Sequence, residues 1–450
     1  MPRLFGTDGI RGVANVDLKP TTAFALGRAT ASRLVGPGGS IVVGQDTRRS
    51  GDMFVAAIAA GATSLGVTVN VVGVVPTPAL AFLAADGADD AGIMVSASHN
   101  PADDNGLKVL DADGLKLDDA VEDELEQLIW RTDELTGAAP AALGTIVNAR
   151  ERLERYVAHR EGLARSIAGS GLRIVVDAAN GSASAVAGRI IGATGATVEV
   201  MNDRPDGLNI NLHCGATDPG ALAARVAASG ADLGFALDGD ADRCVAVDGA
   251  GEVIDGDRLI GLLALDRLAR SGADPADPAV GTVVVSVLSN GGLQQAVEAG
   301  GGTVVRTPVG DKYILEGMQV SGAGLGGEKS GHVIIREHTT SGDGLVTALE
   351  VLRVVTAGSS SLAELAARIP LLPQEQRAVR VRHKEQWEGD PVLRRAIADA
   401  ERRLGAGRGR VLVRPSGTEP SLRVMIEGDD LDLVRELADG LSALADQRLN

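Results

Sequence analysis

One pattern constrains the fold more than any other, because it occurs three times along the chain. It begins at Ile41, Ile174 and Thr282 with the runs IVVGQD, IVVDAA and TVVVSV. After each β-branched run come a polar turn, an Ala-rich segment, a glycine and a second β-branched run. This order is typical of a strand–helix–strand unit with parallel strands. One long doubly wound sheet would also show it, but the spacing of the copies favours three similar α/β domains in series.

The segment from Gln374 onward has a different pattern. Strand-like runs flank a charged helical segment, DPVLRRAIADAERRL, and an amphipathic helix, LDLVRELADGLSALADQRL, comes last. This order predicts a smaller α+β domain. The predicted fold class is therefore α/β, with mixed sheets in the first three domains. The predicted domain boundaries are 1–170, 171–257, 258–373 and 374–450.

The composition argues against nucleic-acid binding and limits how a phosphate site can be built. The chain of 450 residues has a formal net charge of −17 and only 2% aromatic residues. Nucleic-acid binding without sequence preference needs basic grooves and aromatic stacking platforms, so we expect no nucleic-acid partner. A phosphate-bearing ligand would need a locally built site of Arg, Lys and backbone N–H groups.

Several features predict a cytoplasmic protein without a membrane partner. Cys214 and Cys244 lie far apart in the sequence and form no CxxC pair, which favours a reducing compartment. The first residues, MPRLFGTDGIRG, lack the apolar segment of a signal peptide. The most apolar stretch is interrupted by Asn70, Pro76 and Pro78, so we expect no membrane span.

The motif LDGDADR places three carboxylates two residues apart after an apolar run, at Asp238, Asp240 and Asp242. In an extended segment alternate side chains share one face, so we expect the carboxylates to converge on a hard cation. Arg243 and Gly249 stand where an EF-hand calcium loop has Gly and Glu. The motif therefore predicts a magnesium site, and the alternative is a solvated acidic turn.

A second polar cluster, GGEKSGH, places Glu328, Lys329, Ser330 and His332 between glycines. The preceding GAGLGG fits a dinucleotide-binding pattern, but the strand-like GHVII follows it where a helix is required. A Walker-type loop would have Lys in place of Glu328. We reject both nucleotide sites and expect a cluster that binds ligand hydroxyl groups. A purely structural His332 is equally compatible with the sequence.

A third cluster, RPSGTEPSLR, contains Arg414, Ser416, Gly417, Thr418 and Arg423 in a turn between two strands. Backbone N–H groups, hydroxyls and guanidinium groups in such a turn can form an anion pocket. The alternative is a simple hairpin turn.

The fourth cluster lies in VSASHNPADDNGLKVL, where Ser96 and Ser98 stand just before His99 and Asn100, with Lys108 further on. A loop of this composition is usually only a turn. A serine hydrolase is disfavoured because no GxSxG motif occurs in the sequence. A cation site together with an anion pocket is instead what phosphoryl transfer needs.

In this order and across the whole chain, SASHNP with NGLK, DGDADR, GEKSGH and RPSGTEP resemble the α-D-phosphohexomutase superfamily. Within it, LFGTDGIRG, NINLHCGATDP and TPVGDKY are more similar to the bacterial branch that acts on glucosamine phosphates than to the phosphoglucomutase/phosphomannomutase branch. The resemblance implies four domains around a central cleft, the first three similar and the fourth smaller.

The resemblance also implies roles for individual residues. Ser98 is the expected phosphoserine, which with Asp238, Asp240 and Asp242 would hold one Mg²⁺ per chain. The charged groups expected around the phosphoserine are Arg11, His99 and Lys108. The residues expected to bind the sugar phosphate are Arg243, Gly310, Asp311, Glu328, Ser330, His332, Arg414, Ser416, Gly417, Thr418 and Arg423.

The implied reaction is reversible conversion of glucosamine 6-phosphate to glucosamine 1-phosphate, a step toward cell-wall precursors. Phospho-Ser98 would phosphorylate O1, the 1,6-bisphosphate would reorient, and the other phosphoryl group would return to the serine. A hexosamine or hexose 1,6-bisphosphate is the expected activator, and glucose or mannose phosphates are the alternative substrates. Either Lys108 or His332 is the expected general base. Lys329 replaces a residue that is usually uncharged, and the sequence leaves monomer and homodimer open.

Overall fold

The structure is a computed structural model that describes residues 3–6, 8–169, 171–270, 272–358, 360–405, 407–416 and 420–450. By its internal contacts the chain divides into two compact units. Unit 1 comprises residues 1–288 and 297–368, and unit 2 comprises residues 289–296 and 369–450.

The strands are β1 Ile10–Val13, β2 Ser40–Gln45, β3 Thr68–Val74, β4 Ala91–Val95, β5 Asp104–Leu110, β6 Ile146–Asn148, β7 Arg173–Asp177, β8 Thr197–Met201, β9 Leu233–Leu237, β10 Cys244–Asp248, β11 Val253–Ile254, β12 Thr282–Ser286, β13 Thr303–Thr307, β14 Leu325–Gly327, β15 Val333–Ile335, β16 Gln374–Arg380, β17 Gly409–Pro415 and β18 Ser421–Gly428. The helices are α1 Pro20–Thr30, α2 Gly51–Thr63, α3 Thr77–Leu83, α4 Asp119–Trp130, α5 Leu153–Ala164, α6 Ala187–Gly192, α7 Gly220–Ser229, α8 Gly256–Ala269, α9 Pro278–Gly281, α10 Gly291–Ala299, α11 Asp311–Ser321, α12 Gly344–Ala357, α13 Leu362–Ala366, α14 Pro391–Leu404 and α15 Leu431–Leu449. Among the described residues, no helix has both the length and the apolar character needed to span a membrane.

The three predicted strand–helix–strand units are confirmed. They are β2–α2–β3, β7–α6–β8 and β12–α10–β13, and the two strands of each unit pair in parallel. Ile41, Val42 and Val43 of β2 are completely buried. Continuous β-branched runs suit such strands because both faces of a parallel sheet are covered.

Unit 1 contains three mixed sheets, as the predicted α/β fold class requires. Their strand orders are β1-β5-β4-β2-β3-β6, β11-β10-β9-β7-β8 and β13-β12-β14-β15. In each sheet a parallel strand is followed by a polar segment and then by an antiparallel strand, in the pairs β4–β5, β9–β10 and β14–β15. These polar segments contain SASHNP, DGDADR and GEKSGH. The three motifs therefore occupy the same place in three similar sheets.

Unit 2 is the smaller α+β region that the sequence predicts. Its antiparallel sheet has the order β16-β18-β17, and its core includes Val424, Ile426, Val434 and Leu441 from β18 and α15. The individual boundaries predicted near residues 170, 257 and 373 stay predictions.

Candidate active site

The three hairpins of unit 1 bring most of the predicted site residues together. Ser98 of the β4–β5 hairpin contacts Asp238 of the β9–β10 hairpin. Arg243 at the end of that second hairpin forms an isolated antiparallel bridge with His332 of the β14–β15 hairpin. The carboxyl ends of parallel strands are where α/β sheets place ligand sites, so these contacts define a candidate active site.

Ser98 has a strained backbone conformation. Its φ is 52°, in the left-handed region that residues with a side chain rarely adopt. The residue is 1% exposed, and its Oγ donates a hydrogen bond to Asp238 Oδ2 at 2.5 Å. The same oxygen lies 3.4 Å from His99 Nδ1. Strain of this kind persists only where the surrounding structure holds it, so neighbouring residues must support the loop that contains Ser98.

A buried network of Ser96, Asp46 and Arg48 holds this loop, and the sequence analysis assigned no role to any of the three. Ser96 Oγ donates to Asp46 Oδ2 at 2.6 Å and accepts a hydrogen bond from Ser98 N at 2.9 Å. Arg48 Nε pairs with Asp46 Oδ2 at 2.9 Å. Arg48 Nη2 donates to the carbonyl oxygens of Ser98 and Asn100 at 2.9 and 2.8 Å. The available signal was the polar run QDTRR, which begins at the last residue of β2, a strand that pairs with β4.

The carboxylates of Asp238, Asp240 and Asp242 converge, but the expectation of an extended segment was wrong. The residues form a turn between β9 and β10, in which Ala241 has a φ of 59°. One oxygen from each carboxylate lies within 4.8 Å of the others. The left-handed turn, and not strand alternation, therefore brings the three side chains together.

The donor set of this cluster fits a magnesium ion. The three aspartates are buried, with Asp238 and Asp240 at 0% and Asp242 at 5% exposure. Burial and the charges of Asp242 and Asp240 raise the pKa of Asp238 well above its usual range. Asp240 Oδ1 and Asp242 Oδ1 have no hydrogen-bond partner among the described residues. Buried carboxylate oxygens that lack partners are the ligands Mg²⁺ prefers.

Lys108 of β5 lies beside the carboxylates. Its Nζ is 2.9 Å from Asp240 Oδ2, 3.2 Å from Asp8 Oδ2 and 3.9 Å from Asp242 Oδ2. Burial lowers the pKa of Lys108, but these carboxylates more than offset that effect, and the pKa is raised overall. Lys108 is therefore a positive charge fixed between two loops.

His99 differs from Lys108 in its protonation state. Burial, together with the positive charges of Arg243 and Arg11, lowers the pKa of the imidazole to about 4. At neutral pH, His99 is an uncharged imidazole next to the Ser98 hydroxyl.

A chain of ion pairs links the segment before β1 to the start of α11. Asp8 pairs with Arg11 and with Lys116, and Lys116 also pairs with Asp311. Asp311 Oδ2 lies 3.9 Å from His332 Nε2. The structure thus places the predicted residues Arg11 and Asp311 in one network, joined by Lys116, which the sequence analysis did not single out.

His332 and Arg243 lie between the second and third hairpins. His332 Nδ1 is 3.6 Å from Asp242 Oδ2. Burial lowers the pKa of His332, but Asp242 more than offsets it, and the pKa is raised overall. Arg243 Nε is buried and has no hydrogen-bond partner among the described residues.

Glu328, Ser330 and Gly310 form the remaining part of the candidate site in unit 1. Glu328 Oε1 accepts a hydrogen bond from Gly310 N at 3.0 Å, so the TPVGDKY and GEKSGH segments are in contact. Within the described part of the chain, the buried Ser330 Oγ has no hydrogen-bond partner. An unsatisfied buried hydroxyl is suited to a polar ligand.

Unit 2 holds the predicted anion-binding residues. Arg414 and Arg423 stand directly opposite each other on β17 and β18, and burial together with Arg423 lowers the pKa of Arg414. Lys384 Nζ donates to Ser416 O and adds a third positive charge. Like charges opposite each other on neighbouring strands are destabilising, so the arrangement suits a bound anion. The predicted residues Gly417 and Thr418 lie outside the described residues.

Comparison with known proteins assigns the chain to a family. Its segments match the phosphoglucomutase/phosphomannomutase alpha/beta/alpha domains I, II and III over residues 2–136, 154–251 and 255–371, and the C-terminal domain over 378–444. The phosphoglucosamine mutase of Moorella thermoacetica is 49% identical over 449 residues, which cover 99% of each chain. The chain belongs to the phosphoglucosamine mutase family. Members of this family are isomerases of the phosphohexomutase superfamily, and the resemblance seen in the motifs is thereby confirmed.

Solved structures of two similar proteins share the fold of this chain. A phosphoglucomutase/phosphomannomutase family protein from Burkholderia thailandensis is 26% identical with a TM-score of 0.82, covering 100% of this chain and 98% of that one. The N-acetylphosphoglucosamine mutase of Aspergillus fumigatus, solved in complex with GlcNAc-6P and magnesium, has a TM-score of 0.67 at 18% identity. The match covers 99% of this chain and 96% of the Aspergillus chain, and it shows the shared fold.

Proposed function

We propose that the chain interconverts glucosamine 6-phosphate and glucosamine 1-phosphate through phospho-Ser98 and a 1,6-bisphosphate. One observation carries the proposal: the buried Ser98 hydroxyl lies 2.5 Å from Asp238, within a cluster of three carboxylates that fits Mg²⁺. The likeness to phosphoglucosamine mutases over the whole chain selects glucosamine phosphates over glucose and mannose phosphates as the substrates.

The transfer needs positioning and charge neutralisation more than new covalent chemistry. In the first step the bond between phosphorus and Ser98 Oγ breaks, a bond from phosphorus to sugar O1 forms, and the O1 hydroxyl loses its proton. Ser98 Oγ takes up a proton as it leaves. In the second step the bond between phosphorus and O6 of the reoriented bisphosphate breaks, a bond from phosphorus to Ser98 Oγ forms, Ser98 Oγ loses its proton, and O6 gains one. Asp238, Asp240 and Asp242 would hold one Mg²⁺ per chain, which neutralises phosphoryl oxygens when bound. Lys108 adds a fixed positive charge beside the carboxylate of Asp240.

Either Lys108 or His332 is the proposed acceptor of the proton from the sugar hydroxyl. The pKa of each is raised by carboxylates of the aspartate cluster, Asp240 for Lys108 and Asp242 for His332. Neutralising those carboxylates would bring both groups closer to the state in which they accept a proton. Glu328, Ser330 and Arg243 are the proposed contacts for sugar hydroxyl and phosphate groups.

Several finer assignments belong to the same proposal. In unit 2, Arg414, Ser416, Gly417, Thr418 and Arg423 are proposed to bind a substrate phosphate, supported by the paired guanidinium groups of β17 and β18. A sugar phosphate is the proposed partner, a hexose or hexosamine 1,6-bisphosphate the proposed activator, and the cytoplasm the proposed location.

A substrate panel tests the proposal. The values of kcat/KM for the 6-phosphates of glucosamine, glucose and mannose should be measured with the same enzyme preparation. We expect glucosamine 6-phosphate to be preferred by at least tenfold. A preference for glucose 6-phosphate or mannose 6-phosphate would refute the assigned substrate.

Intact-mass spectrometry tests the covalent step separately. A fraction of the protein should carry the added mass of one phosphoryl group, and Ser98→Ala should remove both that mass and the activity. Ser182→Ala is a matched control, since Ser182 is 3% exposed and its hydroxyl has no hydrogen-bond partner in the described part of the chain. Phosphate that persists in Ser98→Ala would contradict the assignment of Ser98.

A further inference from the structure

A cavity of unit 1, of about 560 Å³, has three arginines in its lining. We call it the arginine pocket. Its charged lining residues are Arg267, Arg270, Arg336 and Glu337, and the backbone around Val280 and Gly324 completes the wall. None of these residues belongs to the candidate active site.

The arginine pocket lies at the end of the third sheet that is opposite the segment 328–332. Val280 comes shortly before β12, Gly324 directly precedes β14, and Arg336 directly follows the antiparallel β15. The segment 328–332, with its predicted sugar-binding residues, joins β14 to β15 at the other end of the strands. A ligand in the arginine pocket would therefore not occupy the position of the sugar phosphate.

Arg267 is a partly buried guanidinium group whose charge is partly offset by Glu337 and Glu350. Its Nη1 donates to Ala279 O at 3.3 Å, and no ion pair involves it among the described residues. Burial and the charge of Arg270 lower its pKa. A side chain on Gly324 would place Cβ 2.7 Å from Arg267 Nη1, so the glycine leaves room for the guanidinium group in the wall.

The other charges of the pocket leave positive charge in excess. Arg270 is neutralised by Asp266, with Nε and Oδ2 3.0 Å apart. Arg336 is exposed and forms no ion pair in the described part of the chain. Glu337 is the one acidic side chain among the residues that line the described cavity. Two arginines that form no direct ion pair among the described residues, Arg267 and Arg336, thus face one cavity in a chain whose net charge is −17.

We propose that the arginine pocket binds a phosphorylated small molecule at a site separate from the active site. Guanidinium groups pair with phosphate oxygens through two parallel hydrogen bonds, which explains why Arg, and not Lys, lines the wall. The cavity volume lies within the range of small-molecule sites, roughly 300–1,000 Å³. An anion in the pocket would form direct ion pairs with Arg267 and Arg336, which form none among the described residues.

Isothermal titration of the full-length protein with inorganic pyrophosphate tests the proposal. The titration is run at physiological salt, with and without saturating glucosamine 6-phosphate. We expect a binding event that persists in the presence of the sugar phosphate. Arg336→Gln and Arg267→Gln should each weaken this event at least tenfold, which corresponds to about 1.4 kcal/mol.

Arg165→Gln is the matched control, because Arg165 is an exposed arginine of the same unit that pairs with Glu161 and lies outside the pocket. It should bind pyrophosphate as the unmodified protein does. Arg336→Gln is not expected to change the mutase activity measured without pyrophosphate, and this activity also shows that the variant is folded. Three results would each overturn the proposal: no binding that persists with the sugar phosphate, unchanged affinity in Arg336→Gln, or an equal loss of affinity in Arg165→Gln. The comparison of variants does not depend on which sugar phosphate is the substrate.

Discussion

Replacing Ser96 by alanine tests whether the buried network under Ser98 controls the reaction. The change removes one hydroxyl that is 0% exposed, donates to Asp46 and accepts a hydrogen bond from Ser98 N. Asp46 keeps its bonds from Arg48, so the main loss is the partner of the Ser98 N–H. A buried N–H without a partner is unfavourable by about 1–3 kcal/mol.

This loss acts on a residue that is already strained. A left-handed φ at a residue with a side chain is itself unfavourable by about 1–3 kcal/mol. Once the hydrogen bond to Ser96 is lost, the backbone of Ser98 should therefore relax toward a less strained conformation. If about 2 kcal/mol of the support is lost, kcat should fall about 30-fold, because each 1.36 kcal/mol is a factor of ten. KM for the sugar phosphate should change little, since Ser96 does not belong to the predicted sugar-binding groups.

Steady-state kinetics with glucosamine 6-phosphate, thermal unfolding and the phosphorylated fraction from intact mass should be measured together for Ser96→Ala. Ser182→Ala, which removes a buried hydroxyl without a hydrogen-bond partner among the described residues, should leave kcat unchanged. The reasoning is refuted if Ser96→Ala keeps kcat within threefold of the unmodified enzyme, or if Ser182→Ala loses as much activity.

Three further predictions concern other parts of unit 1. The pKa of Glu350 is lowered to about 2, because His338 and Arg353 more than offset the effect of burial. Because the pKa of Glu350 is higher in the unfolded state, the free energy of unfolding should fall by up to roughly 3 kcal/mol as the pH falls from about 4.5 toward 2. Urea unfolding across this pH range should show the decrease. Glu350→Gln should reduce the dependence of the unfolding free energy on pH. Gly342→Ala would place Cβ 2.4 Å from the His332 ring, so KM for the sugar phosphate should rise severalfold in steady-state assays while the phosphorylated fraction stays constant. Dialysis against a chelator should abolish mutase activity and added Mg²⁺ should restore it; full activity after metal removal would contradict the magnesium assignment.

The sequence pattern was sufficient to predict the repeated strands and helices and to locate the polar motifs between them. The runs that begin at Ile41, Ile174 and Thr282 alternate with helical segments, and each forms the predicted parallel pair. Three of the polar motifs were recognisable because each interrupts two apolar strands. Their shared position, between a parallel strand and an antiparallel one, followed only from the sheet topology.

Contacts between residues that are far apart in the sequence could not be predicted from the sequence. Asp46 is separated from Ser96 by 50 residues, and Asp8 from Lys116 by 108 residues. Neither pair carries a periodic signal, because each depends on how separate strands are placed in a sheet. The turn at Ala241 was missed for a local reason: a non-glycine residue with a positive φ contradicts ordinary backbone preference.

The strain at Ser98 and the missed network are parts of one arrangement. The left-handed backbone of Ser98 accompanies an Oγ that contacts Asp238, and Arg48 donates a hydrogen bond to the carbonyl oxygen of the same residue. A transfer that depends on positioning is sensitive to small displacements of the nucleophile, so residues that hold the loop influence the rate without touching the reacting atoms. The motif SASHNP contains the serine that would carry phosphate, whereas Arg48 and Asp46, from the segment after β2, hold that serine in position. In a site of this kind the residues with the least recognisable sequence pattern control the geometry on which the recognisable ones depend.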